Sequence, residues 1–218
     1  MSDPGAGARQ RHSLVLVPPG TPGVMLVRDL TVSGYHDHQG HCEVRLEGAR
    51  VPSANLPGPA GAGFAVAQRR LGPGRVHHCM RAIGMSERAL ELMARRALSR
   101  TASGATLAGR GVVRRDIAGS RITTGQLRLL VLTTAWLLDT AGYKGARIEV
   151  AAIKATVPQA AAEIIDRAIQ LHGGLGLSGD VPLAQLYAAS RALRIADGPD
   201  DVHLESVARR ELARHQQA

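Results

Sequence analysis

The chain has 218 residues and is 44% hydrophobic, so it can bury a core, and wholesale disorder is excluded. Its two cysteines, Cys42 and Cys79, lie far apart and form neither a disulfide framework nor a zinc-ligand spacing. The polar start and the lack of any run of about 18 apolar residues predict a cytoplasmic protein without a signal peptide or a membrane span.

The net charge of +9 raises the question of nucleic-acid binding. The arginines occur singly or in pairs, such as Arg69-Arg70, and aromatic side chains that could stack on bases are scarce. This pattern favours solvated helix faces and sites for small anionic molecules over a nucleic-acid surface. A phosphate-rich small molecule would use the same charge.

The first part of the chain has a sequence pattern typical of β-structure. Residues 1–11 are interpreted as a loose leader, and residues 52–63, rich in proline and glycine, as the best candidate for a domain boundary. Between them, apolar or alternating runs predict short strands at 14–17, 24–27 and 41–46. Residues 12–60 are therefore expected to form a small β-region.

Residues 61–218 predict helices joined by short loops, which is typical of an antiparallel bundle. Residues 127–138 are apolar on nearly every side, so the second helix is predicted to lie at the centre of the bundle and to be its most buried helix. The fold class is therefore mainly α, with a few β-strands before a C-terminal helical bundle. The predicted helices are 64–100, 112–140, 145–171, 182–194 and 199–213.

The end of the third predicted helix carries Gln170 followed by three glycines, Gly173, Gly174 and Gly176. A left-handed helix C-cap explains one of them. Three such residues would also let backbone N–H groups approach a bound anion closely, as in a pyrophosphate cradle. The pattern alone leaves both interpretations open.

A short stretch before the last predicted helix contains three acids, Asp197, Asp200 and Asp201. The second and third suit the first turn of that helix, where the dipole is positive. Asp197 instead precedes Gly198 and Pro199, a turn that could direct its carboxylate away from the helix. A catalytic role for Asp197 competes at this stage with an ordinary helix start.

Two further segments carry weaker signals. His77, His78 and Cys79 are consecutive on a predicted helix, where neighbouring side chains point about 100° apart. They cannot converge on one ion, so no metal site is predicted. The segment from Arg100 to Leu107, judged by its residues alone, is an ordinary polar loop.

Taken together, three segments resemble the C-terminal part of the acyl-CoA dehydrogenase family, from about His12 to Leu212. They are TPGVMLVRDL, LGPGRVHHCMRAIGMSERAL and DRAIQLHGGLGLSGDVPLAQLYAASRALRIADGPDDVH. The last is similar to the subgroup that has D-G-P where other members have E-G-T. The resemblance implies that residues 12–60 are a remnant of the family's middle β-domain and that residues 61–218 are its helical C-terminal domain.

The resemblance also implies an FAD-dependent reaction on an acyl-CoA thioester. A proton leaves Cα, a hydride passes from Cβ to the flavin, and a trans-2-enoyl-CoA results. The family's base is a Glu before a Gly, and Asp197 holds that position with a side chain shorter by one C–C bond, about 1.5 Å. Arg75 and Gly198 match residues at the acyl-CoA site.

FAD contacts are implied at three places. Arg100 matches an arginine that meets the FAD pyrophosphate of a neighbouring subunit, and the glycines after Gln170 match contacts to the adenine side across a subunit boundary. Pro199 stands where many relatives have a Thr that touches the flavin. The implied cofactor-binding residues are Arg100, Gly104, Gln170, Gly173, Gly174, Gly176 and Pro199, and such contacts imply a homo-oligomer, a dimer or a tetramer.

Family members carry a further helical domain and the first β-strands ahead of the region that residues 12–218 resemble. We therefore expect the chain to be incomplete as an enzyme unless a second chain supplies those parts. One hypothesis is a component of an acyl-CoA dehydrogenase. The alternative is a non-catalytic helical module that oligomerises, or a truncated remnant of such an enzyme.

Overall fold

A computed structural model describes residues 2–8, 10–36 and 40–216. The chain divides into two compact units, Met1–Gly72 and Pro73–Ala218, and the border between them falls inside the first long helix. The predicted fold class is confirmed: long helices follow a few short antiparallel strands. None of the helices in the described ranges is long and apolar enough to cross a membrane.

The first unit contains two small antiparallel ribbons. The outer ribbon pairs β1 with β4, with Val24 opposite Leu46, and the inner one pairs β2 with β3. Ser33 and Gly34 between β2 and β3 both have positive φ, 52° and 81°, which is the conformation of a tight primed hairpin turn. The strands are β1 Val24–Asp29, β2 Thr31–Val32, β3 Tyr35–His36 and β4 Cys42–Leu46.

The predicted strand at residues 14–17 is wrong. This segment has no strand partner; instead Leu16 exchanges two hydrogen bonds with Asn55, from backbone N to backbone O at 2.9 Å and from Asn55 Nδ2 to Leu16 O at 2.9 Å. A four-residue apolar run is compatible with a strand, but only a neighbouring strand can make it one.

The second unit is helical. The five predicted helices are present, and the structure adds the one-turn helix α4 and a small hairpin between α1 and α2. The helices are α1 Gly63–Ser99, α2 Gly111–Gly145, α3 Arg147–His172, α4 Gly174–Leu177, α5 Leu183–Leu193 and α6 Asp200–His215. The hairpin strands are β5 Thr101–Ala102 and β6 Ala105–Thr106.

Two apolar clusters show how these helices run. The first contains Cys79 of α1, Ile153 of α3 and Leu193 of α5, and the second contains later residues of α1 and α3 but the start of α5. Therefore α1 and α3 run in the same direction and α5 runs in the opposite one. Helix α2 is also antiparallel to α3, since Val131 lies in the first cluster while Ile117 packs against the second.

The prediction that the second helix is the most buried is wrong. Thirteen residues of α3 are buried, compared with five of α2. Four large apolar side chains of α2 are between 51% and 67% exposed: Ile122, Leu129, Leu132 and Trp136. A continuous apolar run shows that a helix needs cover on several sides, but it does not show whether the same chain provides that cover.

Candidate active site

The loop between α5 and α6 carries the acid that the sequence analysis singled out. Asp197 has a left-handed backbone, with φ of 56°, and Gly198 follows with φ of 110°. Aspartate tolerates this region better than most residues, yet the conformation still costs about 1 kcal/mol or more and persists only where its surroundings fix it. Contacts from α1 and α3 provide that support.

Arg75 of α1 holds the loop by its backbone. Its Nε and Nη2 donate to the carbonyl oxygen of Asp197 at 3.2 and 3.1 Å, and its Nη1 donates to the Tyr143 hydroxyl at 3.1 Å. Three nitrogens of the guanidinium are thus engaged within the chain. The structure gives Arg75 a place in fixing the Asp197 loop, beside any contact with acyl-CoA.

Lys154 of α3 approaches the same loop from the core. The side chain is fully buried, and its Nζ donates to the carbonyl oxygens of Leu193 at 2.5 Å and Gly198 at 3.3 Å. Burial lowers the pKa of this amine below its usual range. The sequence analysis missed Lys154, although a lysine between Ile153 and Ala155 in an apolar helix was a signal that could have found it.

His78 contacts the side chain of Asp197. Its Nε2 lies 3.1 Å from Oδ2. Both Oδ2 of Asp197 and Nδ1 of His78 are buried without a hydrogen-bond partner in the described chain. Burial lowers the pKa of His78, and the negative charge of Asp197 opposes this shift. The sequence analysis considered His78 only as a metal ligand and missed this contact.

The neighbours of His78 point elsewhere, as the helical geometry predicted. His77 is exposed, whereas Cys79 lies in the apolar core, where burial raises the pKa of its thiol to about 12. Among the described residues, no three His, Cys, Asp or Glu side chains are grouped so that they could hold a metal ion.

The three acids of the loop differ in their surroundings. Asp200 accepts a hydrogen bond from Arg194 Nε at 2.6 Å, and Asp201 is exposed in the first turn of α6. The Asp197 side chain is 16% exposed, and its Oδ2 is buried without a hydrogen-bond partner. Pro199 is the N-cap residue of α6 and is exposed.

In the glycine-rich segment after α3, helix capping and packing explain two of the glycines, whereas other residues are exposed. Gly173, with φ of 63°, caps α3 by donating to Ile169 O and Gln170 O. Gly176 is buried, and a Cβ there would lie 2.7 Å from Ile169 O, so packing accounts for this glycine. Gln170 and Gly174 are exposed, and a Cβ on Gly174 would meet nothing within 4 Å.

Arg100 opens the β5–β6 hairpin. Ser103 and Gly104 form its turn with positive φ of 50° and 77°. Arg100 is exposed, and its side chain has no hydrogen bond or ion pair with the described part of the chain. It lies 25 residues beyond Arg75 along α1, about 37 Å at about 1.5 Å per residue. The structure therefore brings Arg75 and His78 to Asp197, but not Arg100.

Comparisons with known proteins agree on one family. The sequence profile of the acyl-CoA dehydrogenase C-terminal domain matches residues 61–212. The chain is 55% identical over 213 residues to "probable acyl-CoA dehydrogenase FadE2" of Mycobacterium tuberculosis, which covers 98% of this chain and 52% of that protein. It is 51% identical over 211 residues to acyl-CoA dehydrogenase family member 11 of Rattus norvegicus, covering 96% of this chain and 27% of the rat protein.

The fold agrees as well. The solved structure of a "putative acyl-CoA dehydrogenase" from Mycobacterium abscessus has a TM-score of 0.94 and 51% identity, and the match covers 98% of this chain and 53% of that one. The chain thus spans about half the length of the bacterial relatives that it matches, and about a quarter of the rat relative.

Proposed function

This chain belongs to the acyl-CoA dehydrogenase family, and from that premise we propose that it supplies the catalytic base for FAD-dependent α,β-dehydrogenation of an acyl-CoA thioester. One observation carries the proposal: Asp197, whose loop is held by Arg75 and Lys154, is partly exposed, and its buried Oδ2 accepts no hydrogen bond from the described residues. Asp200 is instead bound by Arg194, and Asp201 is exposed in the first turn of α6.

The chemistry requires such a group. The Cα proton of a thioester is weakly acidic, so a carboxylate must be positioned against it and shielded from water. The Asp197 carboxylate takes this proton, and the electron pair of the broken C–H bond becomes the second bond between Cα and Cβ. When bound, FAD supplies the acceptor for the hydride that leaves Cβ. The product is a trans-2-enoyl-CoA, and Asp197 holds the proton until product leaves.

The residues at the far end of the bundle fit the diphosphate and adenine portions of FAD. The side chain of Arg100 is exposed without a partner in the described chain, and a planar guanidinium suits bidentate contact with phosphate. Gln170 and Gly174 present an exposed side chain and an uncovered backbone. Because these groups lie far from Asp197 in one chain, we infer that they serve the flavin site of a neighbouring subunit.

The full proposed assignment follows from the family motif. Asp197 is the base, and Arg75 and Gly198 lie at the acyl-CoA site. The cofactor-binding residues are Arg100, Gly104, Gln170, Gly173, Gly174, Gly176 and Pro199, of which Gly173 and Gly176 also have the structural roles described above.

Self-association is supported by the exposed stripe of α2, which we define as Ile122, Leu129, Leu132 and Trp136. The spacings of seven, three and four residues are those of the a and d positions of a coiled-coil seam. A stripe of large apolar side chains on one helix face is a typical association surface. We propose that a second copy of this chain covers it in a homodimer or a dimer of dimers.

FAD binding by the 218-residue chain tests the cofactor part of the proposal. We expect weak binding, since the chain supplies diphosphate and adenine contacts but few contacts to the flavin ring. Arg100→Ala should weaken binding by about tenfold, the worth of one charge-assisted hydrogen bond. The control Arg209→Ala removes an equally exposed arginine from α6 and should leave binding unchanged. Equal affinity of both variants would refute the role of Arg100.

The stripe on α2 also favours the second candidate function, a helical oligomerisation module without catalysis. The two candidates differ in one observable. A chain that associates through α2 but shows no flavin binding at any concentration, alone or in an assembly, would support the module over the enzyme component.

A further inference from the structure

The fully buried lysine of α3 has no part in the proposed chemistry as described so far. The chain contains only two lysines, Lys144 and Lys154. Lys154 is fully buried, and its neighbours Ile153 and Ala155 are buried as well. A lysine is rarely buried completely, because removing an ammonium group from water is costly unless its donors are satisfied.

The partners of this ammonium group are backbone carbonyls. Leu193 O, at 2.5 Å, belongs to the last turn of α5, where helix carbonyls have no partner of their own and the dipole is negative. Gly198 O, at 3.3 Å, lies directly after Asp197. One amine thus joins the point where the loop leaves α5 to the point where it turns toward α6.

We propose that Lys154 is the positioning residue for the proposed base: by holding Leu193 O and Gly198 O together, it fixes the left-handed backbone of Asp197 and the direction of its carboxylate. Arg75 holds the carbonyl of Asp197 itself, so three carbonyls of the loop region are fixed by two cations from α1 and α3. Lys154 acts through Asp197 and touches neither acyl-CoA nor flavin.

The charge of the amine supports this role. Asp197 and Asp200 both attract it and oppose the lowering of its pKa by burial. A neutral residue of the same length could fill the space but would supply neither the donors nor the charge.

Hydrogen exchange of the 218-residue chain tests whether Lys154 holds the Asp197 loop. The amides of Ile195 and Ala196 donate to Ala192 O and report on the loop, whereas amides of α3 at residues 161–168 report on the core. Lys154→Met should speed exchange at the two loop amides by about tenfold or more while the α3 amides keep their rates. Lys144→Met, at the exposed lysine, should change neither. Unchanged loop amides, or equal acceleration everywhere, would overturn the proposal.

A measurement on the unmodified chain covers the case in which Lys154→Met does not fold. In an NMR titration, the carbonyl carbons of Leu193 and Gly198 should shift with the same midpoint as the Nζ signal of Lys154, and that of Leu183 should not. If the carbonyl carbons and the Lys154 Nζ signal have different midpoints, the proposal that Lys154 holds these carbonyls is overturned.

This inference rests on the proposed role of Asp197, and a double substitution separates the two. In an assembly that reduces flavin, Lys154→Met should slow flavin reduction without weakening acyl-CoA binding, and adding it to Asp197→Asn should slow the reaction no further. An additive effect would show that Lys154 does not act through Asp197. If Asp197→Asn reduces flavin as fast as the parent, the assignment of Asp197 as the base is refuted. The exchange result would still show whether Lys154 holds the loop.

Discussion

Nε2 of His78 lies 3.1 Å from Oδ2 of Asp197, and this carboxylate oxygen is buried without a hydrogen-bond partner among the described residues. The imidazole and the carboxylate are therefore electrostatically coupled. Burial lowers the pKa of His78, and the charge of Asp197 opposes this effect. A neutral His78 leaves the carboxylate available, whereas a protonated one would hold it in an ion pair.

The coupling predicts the outcome of an NMR titration. In Asp197→Asn the opposing charge is removed while burial remains, so the pKa of His78 should fall below its value in the parent chain. Asp201→Asn, which neutralises an exposed acid four residues away, should leave it unchanged. An unaltered His78 midpoint in Asp197→Asn would show that the two groups do not interact.

A second prediction concerns stability and pH. Burial lowers the pKa of both His78 and His203, so the folded chain binds fewer protons than the unfolded chain just below the ordinary histidine value of about 6.5. The contribution to stability is complete above that pH and is lost as the pH falls toward the folded-state pKa values.

Denaturant unfolding between pH 7.5 and 5.5 checks this sign. The free energy of unfolding should decrease with falling pH, and His203→Gln should reduce the slope because one buried titrating group is removed. His77→Gln, at an exposed position, should preserve the slope. A free energy of unfolding that rises toward pH 5.5 would contradict the prediction.

The distribution of burial predicts unequal effects of one substitution at two isoleucines. Ile164 of α3 is 1% exposed, and Ile122 of α2 is 60% exposed. Ile164→Ala should cost about 2–5 kcal/mol of unfolding free energy, and Ile122→Ala less than about 1 kcal/mol in dilute monomer. Similar costs at both positions would mean that α2, as predicted from the sequence, is the more central helix.

The stripe on α2 carries the only tryptophan of the chain, Trp136. If a second copy covers the stripe, its emission should shift to shorter wavelength as protein concentration rises, with sedimentation reporting the larger species. Leu129→Asp should abolish both changes, whereas Leu212→Asp, at a similarly exposed leucine of α6, should preserve them. A sedimentation profile of monomer alone at micromolar concentration would argue against this surface.

Much of the architecture could be predicted from local patterns. The five long or medium helices follow from apolar periodicity, and the Gly198-Pro199 turn with Asp200 and Asp201 after it marks the start of α6. The primed turn at Ser103 and Gly104 was not anticipated, because serine rarely signals a left-handed turn on its own.

Contacts between distant segments could not be predicted in this way. His78 and Asp197 are 119 positions apart, and Lys154 reaches Leu193 and Gly198 across the bundle. Periodicity places each residue on a helix face, but packing decides which faces meet. The burial of α3 in place of α2 has the same origin, since an apolar run does not show which helices pack around it.

The central claim is that Asp197 removes the Cα proton. Asp197→Asn keeps the size of the side chain and much of its hydrogen bonding but removes its basicity. The variant belongs in an assembly of this chain that reduces flavin, alone or with the regions that its relatives carry beyond the matched part. Asp201→Asn is the matched control on the same loop.

Single-turnover flavin reduction by acyl-CoA, followed anaerobically by absorbance, tests the claim most directly. We expect Asp197→Asn to slow reduction by about 10²–10⁴-fold, the usual contribution of a general base, with acyl-CoA and FAD affinities near those of the parent. The Asp201→Asn rate should equal the parent's. An Asp197→Asn variant that reduces flavin as fast as the parent would contradict the assignment.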